Sequence, residues 1–145
     1  MGLLRVFHTS FTVSDVKAAA DWYRNMLGFE IVSEMRRPKH YIEVLTGIPG
    51  AELHVINVRG AGHTIELIQY TGAPGVKLDT ATNNVGSANI GFEVDDLHGM
   101  YAALKAKGAK FMAPPIEILG KPGGYVVYLK DLDGNNLEFV QPPKG

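Results

Sequence analysis

One imidazole and two carboxylates stand at related places in this chain. His8 interrupts an alternating apolar run near the start, and Glu66 and Glu138 each sit inside a later apolar run. The two glutamates lie in matching segments, Gly62-His63-Thr64-Ile65-Glu66-Leu67-Ile68-Gln69 and Gly134-Asn135-Asn136-Leu137-Glu138-Phe139-Val140-Gln141, at a constant offset of 72 positions. A second pair, His8-Thr9-Ser10-Phe11-Thr12-Val13-Ser14-Asp15-Val16 and Asn89-Ile90-Gly91-Phe92-Glu93-Val94-Asp95-Asp96-Leu97, matches at an offset of 81, so that Asn89 falls on His8. A single strand histidine is usually a hydrogen-bonded structural one, and a single strand glutamate usually faces solvent. Recurrence of the same slots under two independent offsets is what points to chemistry. If the two halves pack about a pseudo-twofold axis, an imidazole and two carboxylates converge on a site for one divalent metal, with Zn, Mn, Fe, Ni or Co better suited than Ca to mixed N and O donors.

The elements that must position these residues follow from periodicity. Residues 5–13 alternate, with Phe7, Phe11 and Val13 on one parity and His8, Ser10 and Thr12 on the other, as in a half-buried strand. From Ser14 or Asp15 as N-cap, Val16, Ala19, Ala20, Tyr23, Met26 and Leu27 recur at helical spacing until Gly28. Strand-like runs follow near 29–36, 40–46 and 51–58, then 64–70, and the unit reads as β-α-β-β-β. The second unit repeats the order: a strand at 88–94, a helix with Leu97, Met100, Tyr101 and Leu104 on one face, short extended segments, then strands near 125–130 and 136–141. A self-matching chain of this kind predicts an α+β fold of two tandem βαβββ modules, about 1–72 and 86–145, joined by a Gly/Pro/Asn-rich linker at 73–85 into a single domain over 1–145.

Composition narrows the function. The 145 residues are 46% hydrophobic and 20% charged, which excludes a disordered chain. Fourteen Lys and Arg against fifteen Asp and Glu leave no basic excess for a nucleic-acid partner. With no Cys, disulfides, thiolate ligands and a cysteine nucleophile are excluded. No apolar run approaches the ~20 residues that span a bilayer, and the expected setting is cytoplasmic, with a small molecule as the partner.

Four motifs carry a family resemblance: the opening His8-Thr9-Ser10-Phe11-Thr12-Val13-Ser14-Asp15, the run Trp22-Tyr23-Arg24-Asn25-Met26-Leu27-Gly28-Phe29, the second opening Ile90-Gly91-Phe92-Glu93-Val94-Asp95-Asp96-Leu97, and the ending Asp131-Leu132-Asp133-Gly134-Asn135-Asn136-Leu137-Glu138. Over nearly its whole length the chain resembles the vicinal oxygen chelate superfamily of glyoxalases, bleomycin-resistance proteins and extradiol dioxygenases. The resemblance implies paired modules forming a cup-shaped, partly closed mixed sheet, one divalent transition metal held by His8, Glu66 and Glu138, and a homodimer. Where many members carry a second metal-binding His, this sequence has Asn89: either a weak ligand or a mark of a degraded site.

The implied reaction is that of an epimerase or glyoxalase-type lyase, in which Glu66 and Glu138 move a proton next to a carbonyl through a metal-bound enediolate. One His with two Glu argues against the two-His, one-carboxylate pattern of an extradiol dioxygenase. The other alternative is a metal-free, ligand-sequestering protein resembling the bleomycin-resistance members. Among further residues, His54 shares parity with Glu52 and Ile56 and either lines the site or faces outward, and Lys121 stands in a Gly-rich loop that could fold over a ligand. His63 and Gln69 oppose Glu66 in parity and read as structural.

Overall fold

The computed structural model describes residues 1–145, which divide into two compact units, Met1–Lys77 and Leu78–Gly145. In the first unit the order is β1 (Thr9–Thr12), α1 (Val16–Leu27), β2 (Glu30–Arg37), α2 (Lys39–Thr46), β3 (Glu52–Gly60) and β4 (His63–Gly72). The strands form one mixed sheet in the order β1-β4-β3-β2, with β1 parallel to β4 and the other pairs antiparallel. Helix α1 begins where Asp15 accepts a hydrogen bond from the Ala18 amide and ends at Gly28, whose φ of 70° is the left-handed turn that favours glycine. Its buried stripe, Val16, Ala19, Ala20 and Tyr23, follows the i, i+3, i+4, i+7 spacing of an amphipathic helix. Strands β3 and β4 meet in a two-residue hairpin at Ala61 and Gly62, both with positive φ, the geometry that matches the natural strand twist.

The segment 40–46, expected to be a strand, is helical. Val44, Ile42 and Tyr41 favour strands by type, but the boundaries favour a helix. Pro38 occupies the N-cap with extended backbone, and Gly47 closes the C-terminus in the left-handed conformation with its amide on the Glu43 carbonyl. Lys39 lies 3.8 Å from Glu43 at i, i+4, and Glu43 Oε1 accepts the Gly50 amide at 2.6 Å, fixing the exit. The helix buries Ile42 alone, against Ala51, Leu53 and Val55, with Met35, Ile68 and Tyr70 packed around them. Removing that segment from the strand list leaves β-α-β-β-β with one helix inserted.

The second unit runs β5 (Asn89–Glu93), α3 (Leu97–Ala106), β6 (Lys110–Phe111), β7 (Ile116–Glu117), β8 (Tyr125–Lys130) and β9 (Asn136–Gln141). Its sheet has the order β5-β9-β8-β6, with β7 also pairing to β8, and β5 is parallel to β9 as β1 is to β4. Asp96 caps α3 through the Gly99 amide at 2.9 Å, as Asp15 caps α1 through the Ala18 amide. Leu97 and Leu104 anchor the helix in the core with Phe92, Val127, Leu129, Leu137 and Phe139. Part of the expected linker is tied to this unit: Asn136, 4% exposed, donates to the Thr80 carbonyl and the Ser87 hydroxyl, while the Lys130 ammonium donates to the Thr80 carbonyl at 2.9 Å and to Asn136 Oδ1. The fold is mixed α+β with two sheets and three helices, and no helix is long and apolar enough to cross a membrane.

The repeat also appears in a long-range bond that sequence patterning does not reveal. Gln69 Oε1 accepts the Val16 amide at 3.0 Å, and Gln141 Oε1 accepts the Leu97 amide at 2.8 Å. In each unit the last strand thus closes the first turn of the helix, satisfying an amide that has no intrahelical partner.

Candidate functional site

The register of the first sheet decides which side chains meet. Ser10 pairs with Glu66, Glu66 with Asn57, and Asn57 with Ser33, so these four share one face as a polar row across all four strands. His8 precedes β1 on the same parity. Its Nε2 lies 3.5 Å from Glu66 Oε1, and the Ser10 hydroxyl donates to that same oxygen at 2.9 Å. Asn57 Nδ2 continues the row, donating to Ser33 Oγ at 2.9 Å. The next row on this face is apolar: Thr12 beside Ile68, Val55 and Met35. Ile68, Val55 and Met35 are the side chains over which α2 lays Ile42. One sheet face therefore passes from a polar strip holding His8 and Glu66 to an apolar strip roofed by a helix.

The opposite face carries α1, because Gln69, on the other parity from Glu66, holds that helix by its first amide. His63, expected to be structural, lies on this parity, and its Nε2 is 2.9 Å from the Thr9 hydroxyl. His54 is here as well: it pairs with Gln69, while Glu66 pairs with Asn57, and three positions along a strand reverse the face. It is 5% exposed and its Nε2 is 2.7 Å from Glu34 Oε1, an oxygen that Lys17 approaches to 3.9 Å. As a candidate site-lining residue, His54 is therefore not brought beside His8 and Glu66; sheet alternation sends it to the helix side, where Glu34 occupies it. Parity was visible in the sequence, but which parity the helix covers was not.

That pair has a pH consequence. The hydrogen bond from His54, helped by the charges of Lys17 and Arg36 and opposed by desolvation, holds the Glu34 carboxyl below its ordinary value of 4.5. A depressed carboxyl contributes stability that is fully present above its unfolded value and is lost as pH falls through its folded value. Glu34→Gln is expected to flatten the acid limb of the stability profile below about pH 4.5 while leaving the limb above pH 7 with the slope of the parent. Urea melts at stepped pH measure it, and parallel acid limbs for the two proteins would refute it.

In the second unit the same construction has different contents. Asn89 pairs with Asn136, Gly91 with Glu138, and Glu138 with Tyr128, so Glu138 holds the place that Glu66 holds in the first. Where Ser10 holds Glu66, the equivalent residue is Gly91, and a Cβ there would come no nearer than 3.5 Å to Glu138 Oε2. The two glutamates are alike in backbone setting and unlike in support. Lys121 is exposed in a turn closed by its own backbone, with its amide on the Ile118 carbonyl and its carbonyl accepting the Gly124 amide.

His8 and Glu66 supply one nitrogen and one oxygen donor on a shared face, a combination that borderline divalent ions accept. No group of three or more His, Cys, Asp or Glu side chains suited to a metal ion is gathered in the structure. Ser10 is the site residue that sequence reading missed; its only signal was parity with His8, two positions earlier.

A duplicated βαβββ frame with a carboxylate of each last strand beside its first strand is the architecture of glyoxalase-like proteins, and comparison agrees. The model of the Glyoxalase/Bleomycin resistance protein/Dioxygenase superfamily matches residues 5–139, and the chain belongs to that superfamily. It is similar to the ethylmalonyl-CoA/methylmalonyl-CoA epimerase of Cereibacter sphaeroides, 28% identical over 141 residues that cover 94% of this chain and 97% of that protein. The mitochondrial methylmalonyl-CoA epimerase of Homo sapiens is 24% identical over 140 residues, 94% of this chain and 73% of that one. Among solved structures, a glyoxalase family protein from Bacillus cereus shares the fold with a TM-score of 0.85, covering 99% of this chain and 97% of that chain at 19% identity.

Proposed function

We propose that this protein is an epimerase that inverts the carbon next to the carbonyl of a small acyl thioester, with Glu66 as the group that takes the proton and with His8 and Glu66 as donors to a divalent transition metal. The observation that carries the reading is the convergence of His8 and Ser10 on one oxygen of Glu66. The names of the two related epimerases support the reaction class.

The residues divide the work as follows. Ser10 and the imidazole both address Oε1 of Glu66, which fixes the carboxylate plane and leaves Oε2 as the oxygen that takes a proton. The chemistry a bound divalent metal supplies is withdrawal of charge from the substrate carbonyl, which acidifies the adjacent C–H. Inversion also requires a second acid/base group to return a proton to the opposite face of the carbon.

The test joins two measurements on the purified chain after incubation with Zn, Mn, Ni, Co or Fe. Elemental analysis is expected to give one metal per chain, lost in His8→Ala. Proton resonance in D2O is expected to show loss of the α-hydrogen of 2-methylmalonyl-CoA. Metal uptake without exchange would overturn the epimerase reading. No metal with any of the five ions, together with tight retention of an unaltered ligand, would establish a sequestering protein instead.

A further inference from the structure

Asn57 stands directly opposite Glu66 on the neighbouring strand, and their row carries a hydroxyl at each end. Ser10, on the β1 side, donates to Glu66 Oε1 at 2.9 Å; Ser33, on the β2 side, accepts from Asn57 Nδ2 at 2.9 Å. The two inner strands thus present a carboxylate and an amide side by side, each held from outside by one serine. Cross-strand partners have Cβ atoms about 4.5–5.5 Å apart, within reach of one small molecule.

The sheet departs from regular pairing to make this row. Ile31 pairs with Val58 and Ser33 with Asn57, so Val32 is an extra residue in β2. In unbroken register Val32 would face Asn57, and its aliphatic side chain accepts no hydrogen bond. The bulge puts Ser33 there instead, the kind of re-aiming that bulges perform beside active sites. The repeated frame does not demand it: the matching row of the second unit, Gly91, Glu138 and Tyr128, has neither serine nor amide.

Asn57 has donor capacity to spare. A side-chain amide carries two N–H donors; one goes to Ser33, and the other meets no protein acceptor, although the residue is half-buried. We infer that this remaining N–H donates to the carbonyl oxygen of the acyl thioester whose α-hydrogen Glu66 takes, which makes Asn57 a catalytic residue. As the proton passes to Glu66, the C–H electron pair becomes a C–C π bond and the carbonyl π pair moves onto oxygen. Asn57 keeps its own proton, and its hydrogen bond strengthens as charge grows on that oxygen. Because Ser33 already fixes the amide, the donor has little reorganisation to make at that moment. The assignment deepens the reading given under Proposed function and rests on it for the reaction.

Two measurements on the full-length protein, after the same metal incubation, test it. Propionyl-CoA carrying carbon-13 at its carbonyl reports the contact without turnover: in infrared difference spectra the bound thioester carbonyl is expected at lower frequency in the parent than in Asn57→Leu. In the exchange assay with 2-methylmalonyl-CoA, Asn57→Leu is expected to lower kcat about 100- to 1,000-fold, the effect of removing one such donor, while KM changes far less. Ser33→Ala, which leaves the amide present but loose, should give a smaller loss of kcat at full metal content. Equal carbonyl frequencies in the parent and Asn57→Leu, or a parent that binds no propionyl-CoA, overturn the assignment. So does loss of metal from Asn57→Leu, which makes the residue a ligand instead. Should Asn57→Leu fail to fold, Ser33→Ala decides, and an unchanged frequency with unchanged kcat overturns it. An Asn57-dependent frequency in a protein that never exchanges the α-hydrogen keeps the contact and loses the epimerase; exchange with a frequency indifferent to Asn57 does the reverse.

Discussion

Glu66→Gln is expected to lower kcat for α-hydrogen exchange by about 100- to 10,000-fold, the range that positioned proton transfer contributes. The substitution preserves volume, and the amide oxygen still accepts the Ser10 hydroxyl that now reaches Oε1 at 2.9 Å. Charge and basicity are what it removes. Because the residue is partly exposed, with 24% of its side-chain surface open, the melting temperature should change little, which separates lost chemistry from lost fold. Ser10→Ala is the informative companion: with the carboxylate present but loose, kcat should fall by a much smaller factor than in Glu66→Gln. If Glu66→Gln retains more than a tenth of the parent rate, the base lies elsewhere.

The second large effect is on stability. Phe139 is 1% exposed, and its ring centroid lies 6.4 Å from that of Phe92 on the neighbouring strand, which is itself 8% exposed. Removing such a ring deletes its transfer energy and leaves a cavity that the close-packed surroundings fill only partly. Phe139→Ala should cost about 3–5 kcal/mol, a large share of the roughly 5–15 kcal/mol that holds an ordinary domain folded. The position is one residue from Glu138, yet its side chain points to the opposite face, so loss of activity in this variant should follow loss of folded protein in a denaturant titration. A midpoint within 1 kcal/mol of the parent would mean that the neighbouring strands close over the gap.

Much of the frame was legible because it depends on local rules applied twice. The offsets of 81 and 72 aligned β1 with β5 and β4 with β9; the first helix start was narrowed to Ser14 or Asp15, of which Asp15 is the cap, while the Asp96 cap of α3 came from the structure. Helix α2 was not legible: its β-branched and aromatic residues read as a strand, and the deciding features were a proline, a glycine in the left-handed region and a long-range fit of Ile42. At the site, recurrence marked His8 and Glu66 one by one, and Ser10 had only its parity with His8; that His8 and Ser10 both meet Oε1 of Glu66 depends on parallel register, which no single-strand pattern encodes. His54 illustrates the remaining gap. Its parity was plain, but which side of a sheet a helix covers depends on the handedness of the crossover and on the amide that Gln69 accepts, 53 positions from its partner.

That glutamine bond bears on how the chain reaches its structure during synthesis. A helix start usually depends on its own cap; here the Val16 amide also waits for Gln69, and the Leu97 amide for Gln141, 44 positions later. Until the last strand of a module has emerged and paired, its helix keeps an unsatisfied end, and contacts of such sequence separation carry a loop-closure cost before they return any stability. Each module is thus completed by its final strand, the same strand that delivers its glutamate, so a half-made module has neither a finished helix start nor that carboxylate.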